Sequence, residues 1–211
     1  MTDGYKTLER EASDSFIIKK SRFTGYGSPA HSEQEALDFL ARIRAETKDA
    51  NHHCYAYIIG RNAGVMRYSD DGEPGGTAGL PIIETMKARG VVDCVVVVTR
   101  WFGGILLGAG GLVRAYSRGA VEAIDAAGLV SMEPGIEVQF SVEYPMYGIL
   151  EGFLREHASD VEADFQEVVR MRMMIAAERA DWFQKELIER SNGRVTPTFG
   201  GEAYMTRKIK D

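Results

Sequence analysis

VVDCVVVVTRWFGGILLGAGGLVRAY, residues 91–116, is the stretch on which the fold turns. Its first half is a run of apolar, mostly β-branched residues from Cys94 to Val98, with no polar alternation, so it predicts a buried strand. Glycines at 103, 104, 108, 110 and 111 then break the chain. LVRAYSRGAVEAIDAAG (112–128) restarts with helical periodicity and closes at Gly128.

Other elements extend outward from this stretch. Upstream, HHCYAYIIG (52–60) alternates as a strand, VMRYS (65–69) returns as its hairpin partner, and LPIIETMKARG (80–90) is a helix ending at Gly90. Ser32 and Glu35 form a capping box for a helix carrying Ala36, Leu37, Leu40 and Ile43, while SFIIKK (15–20) and RFTGYGSPA (22–30) suit strands or a hairpin. After the MEPG break at 132–135 come a strand, a helix, two strands, a helix and a final strand, RVTPTF (194–199). That order is βαββαβ, the split ferredoxin-like arrangement, so the chain divides into domains at 1–131 and 132–211.

The longest apolar stretches are far shorter than the roughly 20 residues of a membrane helix, and MTDGYKTLEREASD lacks the basic start and apolar run of a secretion signal. A cytoplasmic protein without membrane partners is expected. Cys54 and Cys94 are too few for a disulfide framework. Net charge is −6, with acidic residues in excess in both halves, so any nucleic-acid contact has to be local rather than a bulk electrostatic effect.

RYSDDGEPGGTAGLP (67–81) crowds Asp70, Asp71 and Glu73 among glycines, and carboxylates this close need a cation, donors or solvent to offset them. Gly75, Gly76 and Thr77 in one loop, and Gly103, Gly104, Gly110 and Gly111 in the other, precede helices, where free amides and the helix dipole favour anions. Neither loop fits a dinucleotide or P-loop fingerprint. Arg100 ends the buried strand, and Arg114 and Arg118 share a helix face; the three are expected to neutralise the acidic loop and keep spare donors for a phosphate-bearing ligand. Tight turns and a self-satisfied ion-pair network explain the same residues. Magnesium on Asp70, Asp71 and Glu73 is the rival use of the carboxylates, although their spacing is not that of a calcium loop. Ser21 and Arg22, and the pair His52 and Cys54 two apart on a strand, are secondary candidates. Tyr68, Trp101 and Phe102 offer stacking surfaces beside these loops, as single-stranded RNA requires, and core packing explains them equally well.

KKSRFTGYGSPA, the HHCYAY strand, SDDGEPGGTAGLPI and VVVVTRWFGGILLGAGGLVRAY together resemble the YigZ/IMPACT family. The resemblance implies a two-domain α+β protein. Its N-terminal domain would be a mixed sheet with helices on one face, like a domain of a ribosomal protein and translational GTPases. The C-terminal ferredoxin-like domain would be similar to one in elongation factor G. Eukaryotic relatives regulate translation through an amino-acid-starvation kinase pathway, using an additional N-terminal domain that is not expected here, so the resemblance does not extend to that role. The expected function is therefore a non-catalytic regulator that binds RNA or the ribosome. A magnesium-dependent enzyme acting on a phosphorylated small molecule or nucleotide, and a protein-interaction adaptor, are the alternatives. No nucleophile, base and orienter set singles out a catalytic centre.

Overall fold

The computed structural model describes residues 4–209. Its contacts divide into two compact units, Tyr5–Val130 and Ser131–Arg207. None of the helices among the described residues is long and apolar enough to cross a membrane.

The first unit opens with a short strand, β1 (Tyr5–Leu8), and is built on five others: β2 (Ala12–Ile18), β3 (Ser21–Pro29), β4 (His52–Ile59), β5 (Val65–Ser69) and β6 (Cys94–Trp101). They lie in the order β2-β3-β6-β4-β5, and every neighbouring pair is antiparallel. The expected mixed sheet is therefore not what forms. β6, last in sequence, fills the gap between β3 and β4 and runs opposite to both, so the two co-directional strands never touch. Helices on one face must be corrected too. Val95 and Val97 pack with α1 (Glu33–Glu46) through Phe39, Leu40 and Ile43, while Val96 and Val98 pack with α2 (Gly79–Arg89) and α3 (Ala109–Ala127) on the other face. Successive side chains of a strand point to opposite sides, so a run of valines needs apolar cover on both.

α3 lies against β3 in a defined direction. Tyr116 meets Phe23 edge-on at 5.5 Å, Gly119 abuts Gly25, and Ala123 abuts Gly27, so the two elements run the same way. The start of α3 is thereby carried toward the β2–β3 turn at Lys19 and Lys20. Contact at Gly25 is so close that an added Cβ would lie 2.1 Å from the Gly119 carbonyl oxygen.

In the second unit β7 (Leu129–Val142) leads into α4 (Tyr144–His157), β8 (Ser159–Phe165), β9 (Val169–Ala176), α5 (Ala180–Arg190) and β10 (Thr198–Lys208). β9 pairs antiparallel with both β7 and β8, and β10 pairs with β7. The final strand lies later than RVTPTF: it begins just after Pro197, whose missing N–H cannot join a ladder. Val138, Phe140, Met171, Met173 and Ile175 bury one sheet face against Leu150, Phe153, Phe183 and Leu187 of the two helices.

Gly25→Ala should destabilise the fold by about 3 kcal/mol, the upper range for overpacking a close backbone contact, read as a lower urea midpoint with an unchanged m-value.

Candidate functional site

The acidic loop joins β5 to α2, and its three carboxylates go three separate ways. Asp70 turns inward: its Oδ1 accepts from the backbone N–H of Ala78 (3.0 Å) and Gly79 (2.8 Å), and its Oδ2 from that of Gly76 (2.8 Å). It caps α2, whose N-cap residue, Ala78, supplies no side-chain bond. The amides of Gly76, Ala78 and Gly79 therefore already hold an anion, the chain's own. Thr77 itself donates from both its amide and its hydroxyl to the Pro74 carbonyl. An external phosphate at this loop would face the Asp70 carboxylate.

Asp71, in the left-handed region at φ 43°, accepts from the His53 amide at 2.7 Å and from Arg44 of α1 at 2.8 Å. Glu73 is buried. Its Oε1 accepts from Arg100 Nη1 and from the Tyr116 hydroxyl, both at 2.7 Å. The Arg100 and Glu73 side chains are only 6% and 4% exposed. Of the three arginines expected to meet the acidic loop, Arg100 alone does so. Arg118 pairs with Glu122 at 2.7 Å and stacks on Phe16, and the exposed Arg114 has no hydrogen bond or ion pair among the described residues.

His52 and Cys54 share a strand face, and each serves the loop's backbone. His52 Nδ1 lies 2.8 Å from the Asp71 carbonyl oxygen, which assigns the proton to Nδ1 and leaves Nε2 facing Glu73 at 4.0 Å. Cys54 Sγ donates to the Asp70 carbonyl at 3.0 Å, and burial pushes its thiol up to about 12. Cys54 is thus a protonated core thiol rather than a nucleophile. Burial also raises the Tyr116 hydroxyl, keeping it a donor to Glu73. Among the described residues no three His, Cys, Asp or Glu side chains converge as a metal would need, because Asp70, Asp71 and Glu73 are directed to different partners.

The second glycine loop is arranged differently. Ser21 Oγ accepts from the Gly103 amide at 3.2 Å and lies 3.5 Å from Arg100 Nη2. Gly103 sits so close to the β2–β3 turn that a Cβ would fall 2.1 Å from the Lys20 carbonyl carbon. That turn has both Lys19 and Lys20 at positive φ, and Arg22 beyond it stacks 3.8 Å above the Trp101 ring. Gly104, Gly108 and Gly110 are exposed, as are Phe102, Ile105 and Leu106. At the start of α3 no side chain caps the helix and no acid lies in the first turn; the first helical bond there runs from Leu112 to Gly108. Gly110 and Gly111 thus stand where free amides are expected, with Arg114 Nη1 3.7 Å from the Cβ position of Gly110. Sequence reasoning missed Arg44 and Tyr116 as partners of the acidic loop, and only placement across the sheet identifies them.

Residues 19–124 match the family described as the Impact N-terminal domain. The IMPACT family member YvyE of Bacillus subtilis is 35% identical over 99% of this chain and 97% of its own length. The IMPACT family member YigZ of Escherichia coli is 35% identical over 83% of this chain and 88% of its own length. A solved structure titled as that of a hypothetical protein is 32% identical, with a TM-score of 0.61, covering 93% of this chain and 97% of its own.

Glu73→Ala should cost roughly 3–5 kcal/mol by stranding the buried Arg100, whereas Arg100→Met with Glu73→Leu should recover most of that loss, both measured by denaturant unfolding. Alkylation of Cys54 by iodoacetamide at mild alkaline pH should be roughly a hundredfold slower in the native than in the unfolded chain, read by mass spectrometry. The sign for stability follows from a raised folded-state value. The contribution of this buried thiol is complete below the ordinary thiol range and is lost as pH climbs toward about 12.

Proposed function

The chain belongs to the IMPACT family, and from that membership we propose that it is a non-catalytic, translation-associated regulator holding RNA or ribosomal phosphate on one face of its N-terminal unit. The observation that carries this reading is the contrast between two helix starts. α2 has Asp70 seated on its amides, whereas α3 has no side-chain cap and no acid in its first turn among the described residues. A phosphate is attracted to such an end by free N–H groups and by the helix dipole.

The surroundings support the same ligand. The β2–β3 turn that carries Lys19 and Lys20 abuts Gly103 through its backbone, Arg114 has no hydrogen bond or ion pair among the described residues, and the half-exposed ring of Phe102 offers a stacking surface. Local basicity of this kind suits a chain whose net charge is −6. In this reading the second unit, with its βαββαβ order, is a ferredoxin-like domain similar to one in elongation factor G, the first is like a domain of a ribosomal protein, and the setting is cytoplasmic. Leu106, at 81% exposure, and Ile105 favour a protein surface as a second contact on the same loop.

Fluorescence anisotropy with a labelled oligouridylate and sedimentation with ribosomes test the proposal. Binding should weaken steeply with salt. Lys20→Ala with Arg114→Ala should weaken it by about tenfold or more, whereas Arg118→Ala, whose side chain is already held by Glu122, should change it by less than about threefold. Salt-independent binding, or equal effects of all variants, would overturn the reading.

A further inference from the structure

We propose that the open face of the C-terminal sheet carries a second anion site, separate from the N-terminal face, that takes a phosphate group between Arg170 and Arg194. In the β7–β9 register Ser141 faces Arg170 and Gln139 faces Arg172. The intervening Phe140 and Met171 turn to the helix side and are buried, so the polar four lie on the face that the helices leave uncovered. Arg194 follows α5, and Thr196 and Thr198 lead into β10, which pairs with β7. Gln139, Ser141, Arg170, Arg194, Thr196 and Thr198, with Phe140 and Met171 between them, line a shallow concavity of about 510 Å³.

Charge pairing on this face is selective. Arg172 is held by Glu137 at 2.8 Å and approached by Glu162 at 3.9 Å. Arg170, two residues earlier on the same strand, has no side-chain hydrogen bond or ion pair among the described residues, and neither has Arg194. The acid directly across from Arg170 is Asp164 of β8, and it accepts instead from the Gln166 side chain at 2.9 Å. No carboxylate lines the concavity among the described residues. Two guanidiniums left unpaired where acids are in excess, flanked by three hydroxyls and by the Gln139 amide, whose Nε2 also donates to Glu137, form a donor-rich surface. Such a surface matches the several acceptor oxygens of a tetrahedral oxyanion, and guanidinium forks suit phosphate. An apolar ligand would find little here to cover it.

All the lining residues belong to Ser131–Arg207, so the site does not depend on the N-terminal face. Titration of the ¹⁵N-labelled full chain with sodium phosphate at constant ionic strength tests it. Saturable amide shifts are expected at Ser141, Arg170, Thr196 and Thr198. Arg170→Ala with Arg194→Ala should raise Kd by about tenfold or more, while Arg155→Ala, a single-charge control on α4, should leave it within about twofold. A parallel titration with a short oligouridylate identifies the source. Tighter binding than phosphate through the same residues would assign a nucleic-acid backbone, and equal binding would assign free phosphate. Absence of saturation, or shifts that persist in the double variant, would mean solvated surface charge and overturn the proposal. Shifts at Gly110 and Arg114 in the same spectra report the N-terminal face separately, so either site can fail without the other.

Discussion

The buried pair of Arg100 and Glu73 is the interaction on which the first unit's functional face depends. Two charges withdrawn this far from water lose hydration that their attraction alone does not restore, so neighbouring groups have to supply part of the difference, and Arg100 Nε is still left without a partner among the described residues. Tyr116 of α3 supplies a donor to the carboxylate, and Ser21 at the start of β3 lies within reach of the guanidinium. The central strand, the acidic loop, the long helix and the hairpin therefore meet at one point. Because Glu73 has to arrive there, the chain leaving β5 turns inward, which delivers Asp70 to the α2 amides and Asp71 to His53 and Arg44. Three neighbouring carboxylates thus serve as a folding device, their mutual repulsion settled by separate partners.

The two-unit α+β organisation was legible in the sequence because it rests on period and punctuation: the valine run, the capping box at Ser32 and the closing glycines; the family was legible only through the resemblance carried by motifs such as SDDGEPGGTAGLPI. Ser32 does accept from the Glu35 amide, and Gly90 adopts the left-handed conformation that closes α2. The cover on both faces of the sheet was also implicit. A strand with valine at 95 through 98 cannot leave one side to solvent, and the expectation of helices on one face contradicted that reading.

The site was harder to read, for a geometric reason. Composition shows that glycines and acids are close, but not whether backbone amides point inward or outward. Positive φ at Asp71, Gly72 and Gly76 winds the loop around Asp70, and no count of residues reveals that. Arg44 could be recognised as a partner only once α1 was known to cross the face opposite α3. The spacing of Arg114 and Arg118 was read correctly as one helix face, yet Glu122 lies one further turn along and holds Arg118.

The placement of β6 has a consequence for synthesis of the chain. It is the central strand of its sheet and the last of that sheet to be made. Until residue 101 has left the ribosomal tunnel, the β2–β3 hairpin and the β4–β5 hairpin have no strand between them, and neither is stable alone in water. Closure of the sheet, burial of Arg100 and docking of the acidic loop consequently fall within one late cooperative event rather than accumulating along the nascent chain.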